Sequence, residues 1–190
     1  MRVGEGSHTY ERVEAWGKIP EQWTLGWIGS VATDRQGRVY CFCRGTHPLV
    51  VFDRDGKVVG HWGDDLLNHA HGVFMDEEQH LWLTDRYAHT VWAFDTDGRL
   101  QRRLGYPNVT SEAGGLFNHP TNTHVAADGS IFGSDGYGDA RCHRFAPDGR
   151  LLASWGAPGD APGHNSTCRT ASGCSKTSGY LSPTARTRGF

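Results

Sequence analysis

Two spacings in this chain could do metal chemistry: Cys41-Phe42-Cys43 and His69-Ala70-His71. Residues i and i+2 of a strand share a face, so each pair would present two ligand atoms side by side. No second cysteine pair stands near the first, and Cys41 and Cys43 read as small apolar side chains packed in a core. His69 and His71 read as adjacent solvated positions. At a strand start, His71 is also a histidine that a backbone carbonyl would satisfy. Arg44 either pairs with a carboxylate at a strand end, such as Asp85, or acts on a substrate. Tyr137 lies in the Gly-flanked run Ser134-Asp135-Gly136-Tyr137-Gly138. There it either packs over its neighbour or supplies a functional phenol. Asp34, Asp76, Asp85 and Asp135 end strands, where short acidic side chains cap turns. His47-Pro48 marks a loop and carries no chemistry by itself, and His124 has no assigned role.

The elements that would position these residues come from an internal repeat. The first unit runs from Ile28 to Asp34, through Arg38 to Arg44 and Leu49 to Asp53, and closes at Trp62-Gly63. The second follows the same order from His71 to Asp76, His80 to Asp85 and Thr90 to Asp95, closing at Leu104-Gly105. The third takes Thr123 to Ala127, Ser130 to Asp135 and Arg141 to Phe145, closing at Trp155-Gly156. Asp55-Gly56, Asp97-Gly98 and Asp148-Gly149 lie 42 and then 51 residues apart. Each sits between two apolar runs, the signal of a hairpin whose turn needs a positive φ. The longer second interval is taken up between Tyr106 and Asn118. Four short strands per unit at this period predict an all-β fold, a partial β-propeller of about three four-stranded blades. Tyr10 to Gly17 resembles a fourth strand ending in Trp-Gly and predicts an N-terminal closing strand.

Composition narrows the rest. With 19 basic and 21 acidic residues the net charge is −2, and no basic stripe argues for a nucleic-acid partner. No apolar run approaches the roughly 20 residues a bilayer-crossing helix needs. The first ten residues lack the apolar core of a secretory signal. Five cysteines without framework spacing point to free thiols and a cytoplasmic, reducing setting.

Cys43-Arg44-Gly45-Thr46-His47-Pro48, His69-Ala70-His71-Gly72, Asn118-His119-Pro120-Thr121 and the Tyr137 run together resemble one group of NHL-repeat propellers. The chain is similar to the peptidyl-α-hydroxyglycine α-amidating lyase family and its bacterial relatives, which are six-bladed. That resemblance implies a zinc-dependent carbon–nitrogen lyase that splits a peptidyl-hydroxyglycine into a peptide amide and glyoxylate. It implies three histidines from different blades around the metal, of which His71 would be one. It makes Arg44 the residue that binds the carboxylate or neutralises developing charge, and Tyr137 the proton-transfer group. Ala70 departs from the family, which has proline before that histidine.

Residues 1–163 therefore read as the partial propeller and 164–190 as an aberrant tail. The tail holds no acidic residue, no strand alternation and no Asp-Gly turn. Its codons, read from the third base of each, permit QLNLPHGVWVLED and then RVLVADRENERI, which continue the repeat. A frame shift after about residue 163 is thus expected, and the second metal histidine would lie in the shifted string. The chain as written is expected to be inactive as a lyase. The reading from a different class is a non-catalytic propeller that binds a protein or small ligand on its loop rim. The partners implied are a small carboxylated or peptide-like substrate, or that rim protein.

Overall fold

The computed structural model describes residues 2–157. The tail expected over 164–190 and its shifted-frame histidine lie outside the described residues.

The chain opens with a hairpin of β1 (Arg2–Glu5) and β2 (His8–Glu11). Three antiparallel sheets follow. The first holds β3 (Ile28–Thr33), β4 (Val39–Cys43), β5 (Leu49–Phe52) and β6 (Val58–Trp62). The second holds β7 (Ala70–Met75), β8 (Leu81–Asp85), β9 (Thr90–Phe94) and β10 (Leu100–Leu104). The third holds β11 (Asn122–Val125), β12 (Ile131–Asp135), β13 (Arg141–Phe145) and β14 (Leu151–Trp155). Each sheet is a meander, and these are the three blades the repeat predicts. Strand β7 packs between β3 and β11, so the first strands of the blades form the inner side of the arc.

Local chemistry fixes the hairpins. Asp53 Oδ1 accepts the N–H groups of Asp55 and Lys57, at 3.0 and 2.9 Å. Asp95 does the same for Asp97 and Arg99. Gly98 adopts φ +81° against the Trp62 indole, a conformation and a space that suit only glycine. The same register shift recurs between the outer strands of all three blades, at Val51/Phe52, Leu100/Arg102 and Arg144/Phe145. These bulges twist the exposed outer edge away from flat pairing.

Packing between blades supplies the core. Tyr40, Phe42, Leu49 and Val51 of the first blade meet Leu83, Trp92 and Phe94 of the second. Trp82, Val91 and Leu104 of the second meet Ile131 and Phe145 of the third, closed by Phe117. The extra residues between β10 and β11 do fall where expected. They carry a short 3-10 turn, Ser111–Ala113, and bury Phe117 completely.

The N-terminal closing strand is corrected. Tyr10 and Glu11 pair back onto β1, and residues 12–17 form no strand. Trp16 nonetheless takes the place the repeat assigns to its Trp. Its ring lies 5.6 Å from Phe52 and against Gly56, as Trp62 lies 4.7 Å from Phe94 and against Gly98. Its Nε1–H donates to the Arg54 carbonyl at 3.0 Å. Trp16, Ile19, Trp23 and Leu25 cover the face of the first blade formed by Cys41, Cys43, Val50 and Phe52. Cys41 and Cys43 are free and buried, the apolar packing expected of them.

Candidate functional site

The ends of β4 and β8 and the start of β7 open on one end of the blades, and there Arg44, His71 and Tyr137 converge. His71 stands in a bulge of β7: Ala70 pairs with Asp85 and Gly72 with Thr84, leaving His71 unpaired between them. A bulge breaks the in–out alternation and re-aims the side chain it carries. His69, which precedes β7, and His71 therefore do not form the simple same-face pair that i, i+2 spacing suggests.

The half-buried His71 imidazole has its Nδ1 2.7 Å from the Thr121 carbonyl in the third blade. A carbonyl can only accept, so Nδ1 carries the proton and Nε2 holds a free lone pair. Tyr137, just past β12, donates its hydroxyl toward that Nε2 at 3.4 Å. Burial lowers the His71 pKa against the opposing pull of the Thr121 bond, and the charges of Arg44 and Arg86 lower it further. The imidazole is thus held neutral with one nitrogen available. That state suits a metal ligand or a proton acceptor.

Arg44 leans from the end of β4 onto the second blade and donates Nε–H to the Ala70 carbonyl at 3.0 Å. The ion pair with Asp85 considered above does not form. The Asp85 carboxylate is taken up by the backbone N–H groups of Asn68, His69 and Ala88. Asp34 and Asp76 likewise serve their own turns, accepting from the backbone of Arg38 and His80.

Two residues that the motifs did not single out complete the mouth. The Arg86 guanidinium sits 3.9 Å from the centre of the Tyr137 ring, and its buried Nε has no hydrogen-bond partner among the described residues. The Tyr87 ring packs tilted against His69, with ring centres 3.9 Å apart. The His69 pKa falls to about 4, first through burial and then through Arg44 and Arg86. The repeat contained the signal for both: Arg86-Tyr87 follows β8 as Arg44-Gly45 follows β4 and Gly136-Tyr137 follows β12. A cleft of about 540 Å³ between the second and third blades opens elsewhere, lined by Asp76, Trp82, Arg102, Asp128 and Pro147. It lies at the opposite strand ends and shares no residue with the mouth.

The chain resembles amidating lyases and NHL-repeat proteins. It is 35% identical over 104 residues to peptidyl-alpha-hydroxyglycine alpha-amidating lyase 1 of Drosophila melanogaster, covering 53% of this chain and 19% of that protein. It is 32% identical over 161 residues to human NHL repeat-containing protein 3, covering 77% of this chain and 46% of that one. Among solved structures, a streptogramin B lyase matches with a TM-score of 0.56 at 15% identity, over 71% of this chain and 42% of that one. Virginiamycin B lyase from Staphylococcus aureus matches with a TM-score of 0.53 at 17% identity, over 71% and 42%. At such identities the structural likeness bears on the fold, which is that of β-propeller blades. No protein-family model matches the chain. The chain spans less than half the length of each of these relatives. No helix among the described residues is long and apolar enough to cross a membrane.

Proposed function

We propose that this chain carries part of the active-site mouth of a lyase acting on peptides that end in α-hydroxyglycine. The observation that carries the reading is the convergence of a neutral, lone-pair-bearing His71 with Tyr137, Arg44 and Arg86. Similarity to the Drosophila amidating lyase supports the same substrate class.

Two guanidinium groups at one mouth suit the substrate's terminal carboxylate, which they bind as charge-assisted donors. Tyr137 holds its proton beside His71 Nε2 and so stands where a hydroxyl proton can be exchanged. The reaction requires such an exchange: the substrate hydroxyl loses a proton, its carbon–oxygen bond becomes a carbonyl, the carbon–nitrogen bond breaks, and the amide nitrogen gains a proton. His71 fits a zinc ligand, since Nδ1 is committed to Thr121 and the Nε2 lone pair meets only the long 3.4 Å contact with the Tyr137 hydroxyl, which a metal would displace. Zinc, when bound, would polarise the substrate hydroxyl and carboxylate. The two further histidines implied by the resemblance would come from the shifted string and a later blade. Of that set, His71 is the ligand that lies among the described residues, and Arg44 and Arg86 beside it bind the carboxylate.

A titration with a short peptide ending in α-hydroxyglycine tests this reading. Saturable binding is expected, weakened at least about tenfold by Arg44→Ala or Arg86→Ala and absent for the same peptide with its terminal carboxylate amidated. Binding that ignores the carboxylate sinks the proposal. In a full-length version that restores the shifted frame and the later blades, metal analysis is expected to find bound zinc that is lost in His71→Ala, and zinc content unchanged by that substitution would remove the zinc part. The second reading, a non-catalytic rim binder, draws on the 32% identity over 161 residues to NHL repeat-containing protein 3, whose name carries no activity. It predicts no metal held by His71 and no hydroxyglycine binding in either version.

A further inference from the structure

We propose that His47, His61 and Asp64 form a site for a divalent transition-metal ion of the zinc type on the outer rim of the first blade. His47 comes from the loop between β4 and β5, His61 from β6, and Asp64 from the turn that follows β6. The His47 Nδ1 lies 2.7 Å from Asp64 Oδ1, and the His61 Nδ1 lies 3.2 Å from Oδ2. One ligand atom from each residue falls within 4.8 Å of the others. Ligands about 2.0–2.2 Å from a tetrahedral ion stand roughly 3.3–3.6 Å apart, so side-chain shifts of about 1 Å complete the shell.

Charge argues for an ion rather than for ordinary pairing. The two imidazole rings lie 3.8 Å apart, and a single carboxylate faces both. A divalent ion satisfies both Nδ1 atoms and the carboxylate at once, with neutral imidazoles of the kind zinc, cobalt and nickel prefer. Asp64 and His61 are more than a third exposed, which gives an ion an entry path and leaves a coordination position for water or a ligand. The Trp23 ring packs edge-on against His47 at 4.1 Å and His61 at 4.9 Å. A bound ion would therefore tie the segment that covers the first blade to β6, and Trp23 would sense it. The site shares no residue with the mouth and does not depend on the lyase reading.

Cobalt(II) and zinc(II) titrations of the full chain test the proposal. Cobalt absorption should report a tetrahedral nitrogen–oxygen shell, and tryptophan emission should be quenched in step. His61→Ala and Asp64→Asn, both at exposed positions, should each weaken binding at least about tenfold. Zinc should also raise the midpoint of thermal unfolding in the parent chain and not in those variants. His71→Ala should leave the cobalt signal unchanged. Absence of saturable binding, equal binding by both rim variants, or loss of the signal in His71→Ala each overturns the proposal. Circular dichroism of the variants establishes that they remain folded.

Discussion

Asp85→Ala should be among the most damaging single changes in the second blade. The side chain is fully buried at the end of β8, and its carboxylate accepts three backbone N–H groups, from Asn68, His69 and Ala88. Truncation removes the acceptor and leaves three donors without one inside the protein. Hydrogen bonds to a charged group contribute about 1.5–3 kcal/mol each, and they are not additive when they share one acceptor. The expected loss is therefore about 4 kcal/mol. That is a large part of the roughly 5–15 kcal/mol that holds a domain folded. Asp85→Asn keeps the size and one acceptor oxygen and should cost about half as much. Asp97→Ala is the control, because its pair with Arg99 is exposed on both sides and its loss should leave the unfolding midpoint essentially unchanged. Urea unfolding followed by tryptophan fluorescence measures all three. A loss below about 1 kcal/mol for Asp85→Ala would refute the idea that this carboxylate holds the segment leading to His71.

Other expectations follow from the same geometry. Arg44→Ala should raise the His69 pKa from about 4 toward the ordinary imidazole value, read by NMR titration of the ring; an unchanged value would mean the two charges do not interact. Because folding lowers the His69 pKa, the unfolded chain binds more protons between about pH 4 and 6.5. His69 thus contributes stability that is present above 6.5 and lost as the pH falls through that window, and Arg44→Ala should flatten this dependence. Phe117→Ala should cost about 3–5 kcal/mol in denaturant unfolding although Phe117 lies outside every strand, since its ring is fully buried against Phe145 and His143. A loss under about 1 kcal/mol would show that the loop before β11 is not part of the core. Sequencing the DNA that encodes His164 to Phe190 should find wobble bases that spell the shifted string, and any other spelling ends the frame-shift proposal.

Some of the site was legible and some was not, for identifiable reasons. Arg44, His71 and Tyr137 could be picked out because the short motifs that carry them resemble those of the amidating lyases. Their partners could not. Arg44 bonds the Ala70 carbonyl and His71 the Thr121 carbonyl, both contributed by the next blade. A backbone oxygen has no residue type to give it away. Arg86 escaped the motifs although alignment of the units placed it level with Arg44. His47 looked inert because its neighbours His61 and Asp64 are distant in sequence and meet it only once β5 and β6 pair.

The sequence by itself determined the strands, their hairpins and their order, because these depend on short-range physics. Asp-Gly turns need a positive φ, alternation sets which face is apolar, and a repeated unit must bury its faces against its neighbour. Tertiary structure decided what the exposed ends of those strands do. It turned the start of the expected closing strand into a hairpin while keeping Trp16 against Phe52 and Gly56 of the first blade, and it set His71 in a bulge that no alternation rule anticipates. It also brought His47, His61 and Asp64 to one point. Each of these outcomes depends on contacts between segments far apart in the chain, where packing and hydrogen-bond satisfaction prevail over local preference.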